Sequence, residues 1–122
     1  MSADADQFRI EILARRDGYI YFYLWSSSQG GEFLFPSASF GQENRVSRGD
    51  SLWVPKDGTW VVDDAGMGTE RLYLLYSKRA FDRHEIARIN KELKKAEADR
   101  ASVERVLSRH FSIEQQTHYI HE

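Results

Sequence analysis

The stretch RDGYIYFYLW, residues 16–25, places five aromatic side chains in ten positions. Ile20, Phe22 and Leu24 alternate in it with Tyr19, Tyr21, Tyr23 and Trp25. A strand sends successive side chains to opposite faces, so both faces of this one are apolar in bulk. Only one of them carries hydroxyls and an indole N–H. Ile20, Phe22 and Leu24 read as the main core face. The Tyr/Trp face is either a stacking surface for a ligand or a second buried face whose polar tips reach water or backbone. The second reading requires a cover from elsewhere in the chain.

Upstream, FRIEILAR (8–15) puts Phe8, Ile10, Ile12 and Ala14 on one side and Arg9, Glu11, Leu13 and Arg15 on the other, the period of a half-buried strand. Asp17-Gly18 supplies tight-turn chemistry, so residues 19–25 are expected to return as the second strand of a hairpin. Downstream, EFLFP (32–36) reads as a strand stopped by Pro36. Short strands follow at Leu52–Val54, ended by Pro55, at Trp60–Val62 after an Asp57-Gly58 turn, and at RLYLLYS (71–77). Gly18, Gly49, Gly58 and Gly68 are assigned to turns, and Trp53 and Trp60 to mutual contact or the core. This spacing predicts a mainly β fold, an antiparallel β-sandwich or partly closed barrel of about six to eight short strands.

The pattern changes at Asp82. With Glu85 it forms a D-x-x-E capping box, and residues 83–109 contain neither Gly nor Pro. Ile86, Ile89, Leu93, Ala96, Val103 and Leu107 follow three-four spacing, with Arg100 where the stripe expects an apolar residue. The expectation is a long C-terminal amphipathic helix over 82–109, docked along the sheet and covering the Tyr/Trp face. Two helices broken near Ala98–Ser102 are the alternative. A homo-oligomeric coiled coil through this helix uses the same spacing, but Ala96 and Arg100 weaken its seam. Residues 116–121 alternate as a last strand.

The chain of 122 residues, 41% hydrophobic, is read as a single domain, with a β-rich core over 7–77. Its 17 Lys and Arg against 19 Asp and Glu produce no global positive field for nucleic acid or an acidic membrane. Absence of cysteine removes disulfides, thiolate nucleophiles and cysteine-based metal sites. MSADADQF has neither a basic n-region nor an apolar h-region, and no stretch approaches a membrane span, so direct membrane insertion is not expected. A native start and an excised domain fit this opening equally.

The blocks GYIYFYLWSSSQGGEFLFP, ENRVSRGDSLWVP and GTERLYLLYSKRAFD, in this order, resemble the bacterial family called domain of unknown function 4384 across residues 18–82. That resemblance implies a small β-rich accessory module attached to secreted, lipid-anchored or multidomain bacterial proteins. It favours an extracytoplasmic or periplasmic setting, with the cytoplasm left open by the missing signal peptide. It implies no established activity and no catalytic residues.

Candidate chemistry is sparse. RDGYIYFYL superficially resembles an RNA-stacking strand, but Asp17 stands where a basic residue should precede Gly18, and no helical period appears before residue 82, so nucleic acid is not an expected partner. His118 and His121, three apart, converge on a metal only in a helix, and Asp63-Asp64 lacks the further oxygens that Ca²⁺ needs. No metal or cofactor is assigned. No G-x-S-x-G or Ser-Lys nucleophile is present, and Glu32, Glu43, Asp50 and Glu70 form no pair legible in sequence, so an enzyme is not expected. KELKKAEADR reads as a solvated helix face with offset charges such as Glu92 and Lys95.

Two functional expectations follow. The first is a non-catalytic interaction module that binds a protein partner through Arg88, Lys91, Lys94 and Lys95. The second is a small-ligand or glycan binder that stacks its ligand on Tyr19, Tyr21, Tyr23, Trp25, Trp53 and Trp60.

Overall fold

A computed structural model of the chain describes residues 6–8, 10–27, 30–36, 43–54, 60–62 and 68–121. The elements run β1 (Asp6–Phe8), β2 (Ile10–Leu13), β3 (Gly18–Ser26), β4 (Gly30–Phe35), β5 (Arg45–Val46), β6 (Ser51–Val54), β7 (Trp60–Val62), β8 (Gly68–Ser77), α1 (Arg83–Ala96), α2 (Arg100–His110) and β9 (Ser112–His121). The fold is mainly β, every ladder is antiparallel, and among the described residues no sheet closes into a barrel.

β3 lies at the centre. β8 pairs with it from Tyr19↔Ser77 to Ser26↔Glu70, and β9 pairs with β8 beyond. The other edge of β3 is shared by β4, along Phe22–Ser26, and by the two-residue β5, at Gly18–Tyr19. Both edges of β3 are thereby occupied, and the expected hairpin with residues 8–15 does not form. β2 pairs with β6 instead, and β1 with β7. The Asp17-Gly18 step carries the chain from the small ladder into the large sheet. Mutual backbone bonds of 2.9 Å tie Ala14 to Asp50 and Gly49, and the Asp17 carboxylate accepts from the Arg48 N–H at 2.7 Å. A Cβ on Gly18 would fall 2.4 Å from the Tyr76 ring, so close approach requires glycine there. Gly68, assigned to a turn, instead begins β8 opposite His121. Gly58, Asp63 and Asp64 lie outside the described residues.

The alternation read in β3 sorts its side chains into two cores. Ile20 and Phe22 cluster with Ile12 and Ala14 of the β2 segment, Phe35, Val46, Leu72 and Tyr76, with Leu24 and Leu52 packed against them. Leu13, on the opposite side of β2, is 68% exposed. On the other face of β3, Tyr21, Tyr23 and Trp25 cluster with Tyr73, Leu75, Phe111 and the helix residues Ile89, Leu93, Val103, Val106 and Leu107. Burying each such aliphatic side chain contributes roughly 1.5–3 kcal/mol before ordering entropy is subtracted.

The cover is two helices, not one long one. α1 ends at Ala96 and α2 begins at Arg100. In an unbroken helix the Glu97 carbonyl would accept from residue 101. Here it accepts the Trp25 indole N–H at 2.8 Å. The Glu97 carboxylate also takes a 3.4 Å bond from the Gly31 N–H. Arg100, which interrupts the apolar stripe, thus becomes the exposed first residue of a new helix. Glu92 does not face Lys95 as expected; it joins the helices by meeting Arg109 at 3.2 Å and His110 at 3.1 Å. The last strand begins four residues before its expected start, because β8 offers pairing positions up to Tyr76.

The double glycine of β4 permits this corner. Gly30 has φ +79°, and a Cβ on Gly31 would fall 1.9 Å from the Tyr23 hydroxyl. Gly31→Ala is therefore expected to destabilise the chain by about 1–3 kcal/mol through overpacking. Trp25→Phe, which deletes the donor to Glu97, should cost about 1 kcal/mol. Urea denaturation measures both, and a midpoint unchanged by Gly31→Ala would contradict the packing of Tyr23 against β4.

Candidate functional site

The candidate surface is built from α1. Its N-terminus carries the predicted capping box: the Asp82 carboxylate accepts the Glu85 N–H at 2.8 Å, and the Glu85 carboxylate accepts the Asp82 N–H at 3.2 Å. Arg79 grips Glu85 through both guanidinium nitrogens, at 2.6 and 3.0 Å. The Arg79 hydrogen bond, followed by the Asp82 backbone bond, holds the Glu85 carboxyl down to about 2. Arg88 adds a smaller through-space pull.

Each acidic residue from Glu85 to Glu97 is engaged inside the molecule. Glu85 binds Arg79, Glu92 binds Arg109 and His110, and Glu97 binds Gly31 and, at 3.4 Å, Lys94. The basic residues divide differently. Lys94 reaches Glu97 and the Gly31 carbonyl. Arg88, Lys91 and Lys95 are exposed and form no ion pair among the described residues. Their spacing of three and four residues aligns them on the side of α1 turned away from buried Ile89 and Leu93. Residues 83–110 hold eight Lys and Arg against five Asp and Glu, whereas the rest of the chain holds nine against fourteen. The helix layer is the positive part of a weakly negative chain.

The aromatic row does not form a platform. Tyr21, Tyr23 and Trp25 are 3%, 1% and 7% exposed, with their rings consumed in the core beneath the helices. Burial, and then the charge of Glu97, pushes the Tyr23 phenol well above its ordinary range. Burial raises Tyr73 likewise, reinforced by its 2.7 Å bond to Glu104. Tyr19 is half-buried. Trp53 is not on the core: it is 40% exposed on β6, because Leu52 and Ile12 hold the inward side of that ladder, and its expected contact with Trp60 falls on a side chain outside the described residues.

At the other end of the aromatic core, Tyr19, Tyr21, Phe33, Pro36, Asn44, Ala80, Phe81 and Ile86 line a cavity of about 140 Å³. Sequence reasoning includes Tyr19 and Tyr21 in its ligand set but not Phe33, Asn44 or Phe81. These residues come from separated segments, and no spacing rule links them.

Of the four carboxylates weighed as a possible pair, three have described side chains. Asp50 accepts from the Ser47 N–H at 2.9 Å as a turn cap, and Glu32 and Glu43 are exposed on different segments. The Glu70 side chain lies outside the described residues. The backbones of His118 and His121 pair with Arg71 and Gly68 in the β8–β9 ladder, so this segment is a strand and not the helix that a shared metal would need; their side chains lie outside the described residues.

The Glu85 grip has a pH signature. Its folded pKa lies below its ordinary value of 4.5, so its contribution to stability is present above roughly pH 4.5 and drains as pH falls toward 2. Glu85→Gln is expected to flatten the acid-unfolding curve in that window, followed by far-ultraviolet circular dichroism. An unaltered curve would mean that solvent screens the pair. In comparisons with protein-family models, curated proteins and solved structures, no match to this chain is found.

Proposed function

We propose that this chain is a non-catalytic interaction module that binds an acidic surface of a protein partner through the basic face of α1. One observation carries the reading. Arg88, Lys91 and Lys95 are aligned, exposed and without ion pairs among the described residues, while the acids of the same helix are engaged internally. A helix face with this bias attracts an acidic partner and sets its orientation, chiefly by raising the association rate. The resemblance of residues 18–82 to a bacterial accessory family supports the same reading. It further suggests attachment to a larger envelope-associated system.

Lys94 belongs to the Glu97 corner, so a test that spares the fold changes Arg88, Lys91 and Lys95 to Glu and leaves Lys94 in place. Affinity capture from envelope and cytosolic fractions of the native cell compares the two chains. The expected outcome is a protein retained by the unaltered chain, lost from the triple variant, and released as salt rises past about 0.15 M. Retention of the same proteins by both baits, or retention of nucleic acid alone, would sink the proposal. The alternative of a ligand- or glycan-stacking row keeps only Tyr19 and Trp53 as accessible rings among its described residues.

A further inference from the structure

We propose that the cavity between β3, β4 and the start of α1 is a binding site for one neutral aromatic ring bearing a hydroxyl or N–H donor. Its volume of about 140 Å³ is close to the roughly 150 Å³ of apolar cavities that take up benzene. One six-membered ring fits that space. The Tyr21 and Phe33 rings meet edge-on at 6.4 Å between centroids, and Tyr21 and Phe81 are tilted at 5.9 Å. Walls set at such angles offer both ring edges and ring faces, which another aromatic ring satisfies better than an aliphatic one.

Two polar side chains set the ligand's polarity. The Asn44 Nδ2 donates to the Ile20 carbonyl at 3.0 Å, which fixes the amide orientation and leaves Oδ1 as its remaining acceptor. Burial raises the Tyr21 phenol, against hydrogen bonds from the Phe81 backbone and the Asn44 side chain, so this hydroxyl stays neutral. Arg79, with its guanidinium 4.8 Å from the Phe81 ring centroid, is neutralised by Glu85. The balance selects an uncharged ring whose donor meets Asn44. No cavity residue belongs to the basic face of α1, so this site and the protein-binding reading stand or fall separately.

Phenol is the probe, with toluene and cyclohexanol for comparison, titrated into the isotopically labelled full chain and followed by proton–nitrogen correlation spectra. Saturable shifts are expected at the Ala80 and Phe81 amides and the Asn44 side chain. Toluene, without a donor, should bind about threefold to tenfold more weakly, the value of one neutral hydrogen bond. Cyclohexanol should also bind more weakly than phenol, for want of a ring quadrupole. Ala80→Trp, at an exposed rim position, should weaken phenol by about tenfold or more. Ile86→Phe, which fills the space from α1, should do the same and serves if the first variant does not fold. Absence of saturable shifts, shifts that map elsewhere, or phenol affinity unchanged in the folded variants would overturn the site. Equal affinity for phenol and toluene would overturn the part assigned to Asn44.

Discussion

A strand with no polar face cannot lie on a surface, and β3 is such a strand. Ile20 and Phe22 need one apolar cover while Tyr21, Tyr23 and Trp25 need another. Apolar burial is proportional to area and indifferent to direction, so the demand is met by whatever elements the chain can bring. On one side these are β2 and β6, contributing Ile12 and Leu52, with Ala14 just beyond the end of β2. On the other they are α1 and α2. Because β8 takes one edge of β3 while β4 and β5 share the other, β3 is enclosed laterally as well as above and below.

Placing tyrosines and a tryptophan on the helix side has a consequence that leucines would not have. Their polar tips need partners once buried, and those partners position the cover. The Trp25 indole takes the Glu97 carbonyl, and the Tyr73 hydroxyl takes the Glu104 carboxylate. The first of these bonds falls where the helix path breaks. The second reaches α2 beyond it. Glu92 then spans the two helices through Arg109 and His110. The acids of the helical region are drawn into internal contacts, and the cations with no internal role face outward. The basic face proposed to receive a partner is therefore a by-product of how the aromatic face is covered.

Strand alternation, the capping box and the apolar helix stripe were legible in the sequence because each is a local periodicity or a short-range hydrogen-bond pattern. Ile20 and Phe22 on one face, Tyr21 and Tyr23 on the other, and Asp82 with Glu85 all stand as that periodicity places them. The exposure of Arg88, Lys91 and Lys95 follows from the same helical geometry. Strand partnership was not legible. Asp17-Gly18 carries the local chemistry of a hairpin, yet pairing is settled by competition for the two edges of β3, and that competition involves residues up to 58 positions away along the first ladder contact, Tyr19 with Ser77.

The sequence by itself determined that β3 has two apolar faces, that an amphipathic helical period runs on either side of Arg100, and that cations line the side away from the stripe. Those properties are set within a few residues by side-chain period and backbone capping. Only the tertiary structure decided that the helix breaks at Glu97, that Tyr21, Tyr23 and Trp25 are lost to the core, and that Phe33, Asn44 and Phe81 meet around a ring-sized cavity. Each of these depends on groups far apart in the chain competing for the same space or the same hydrogen bond, and no local pattern records which of them wins.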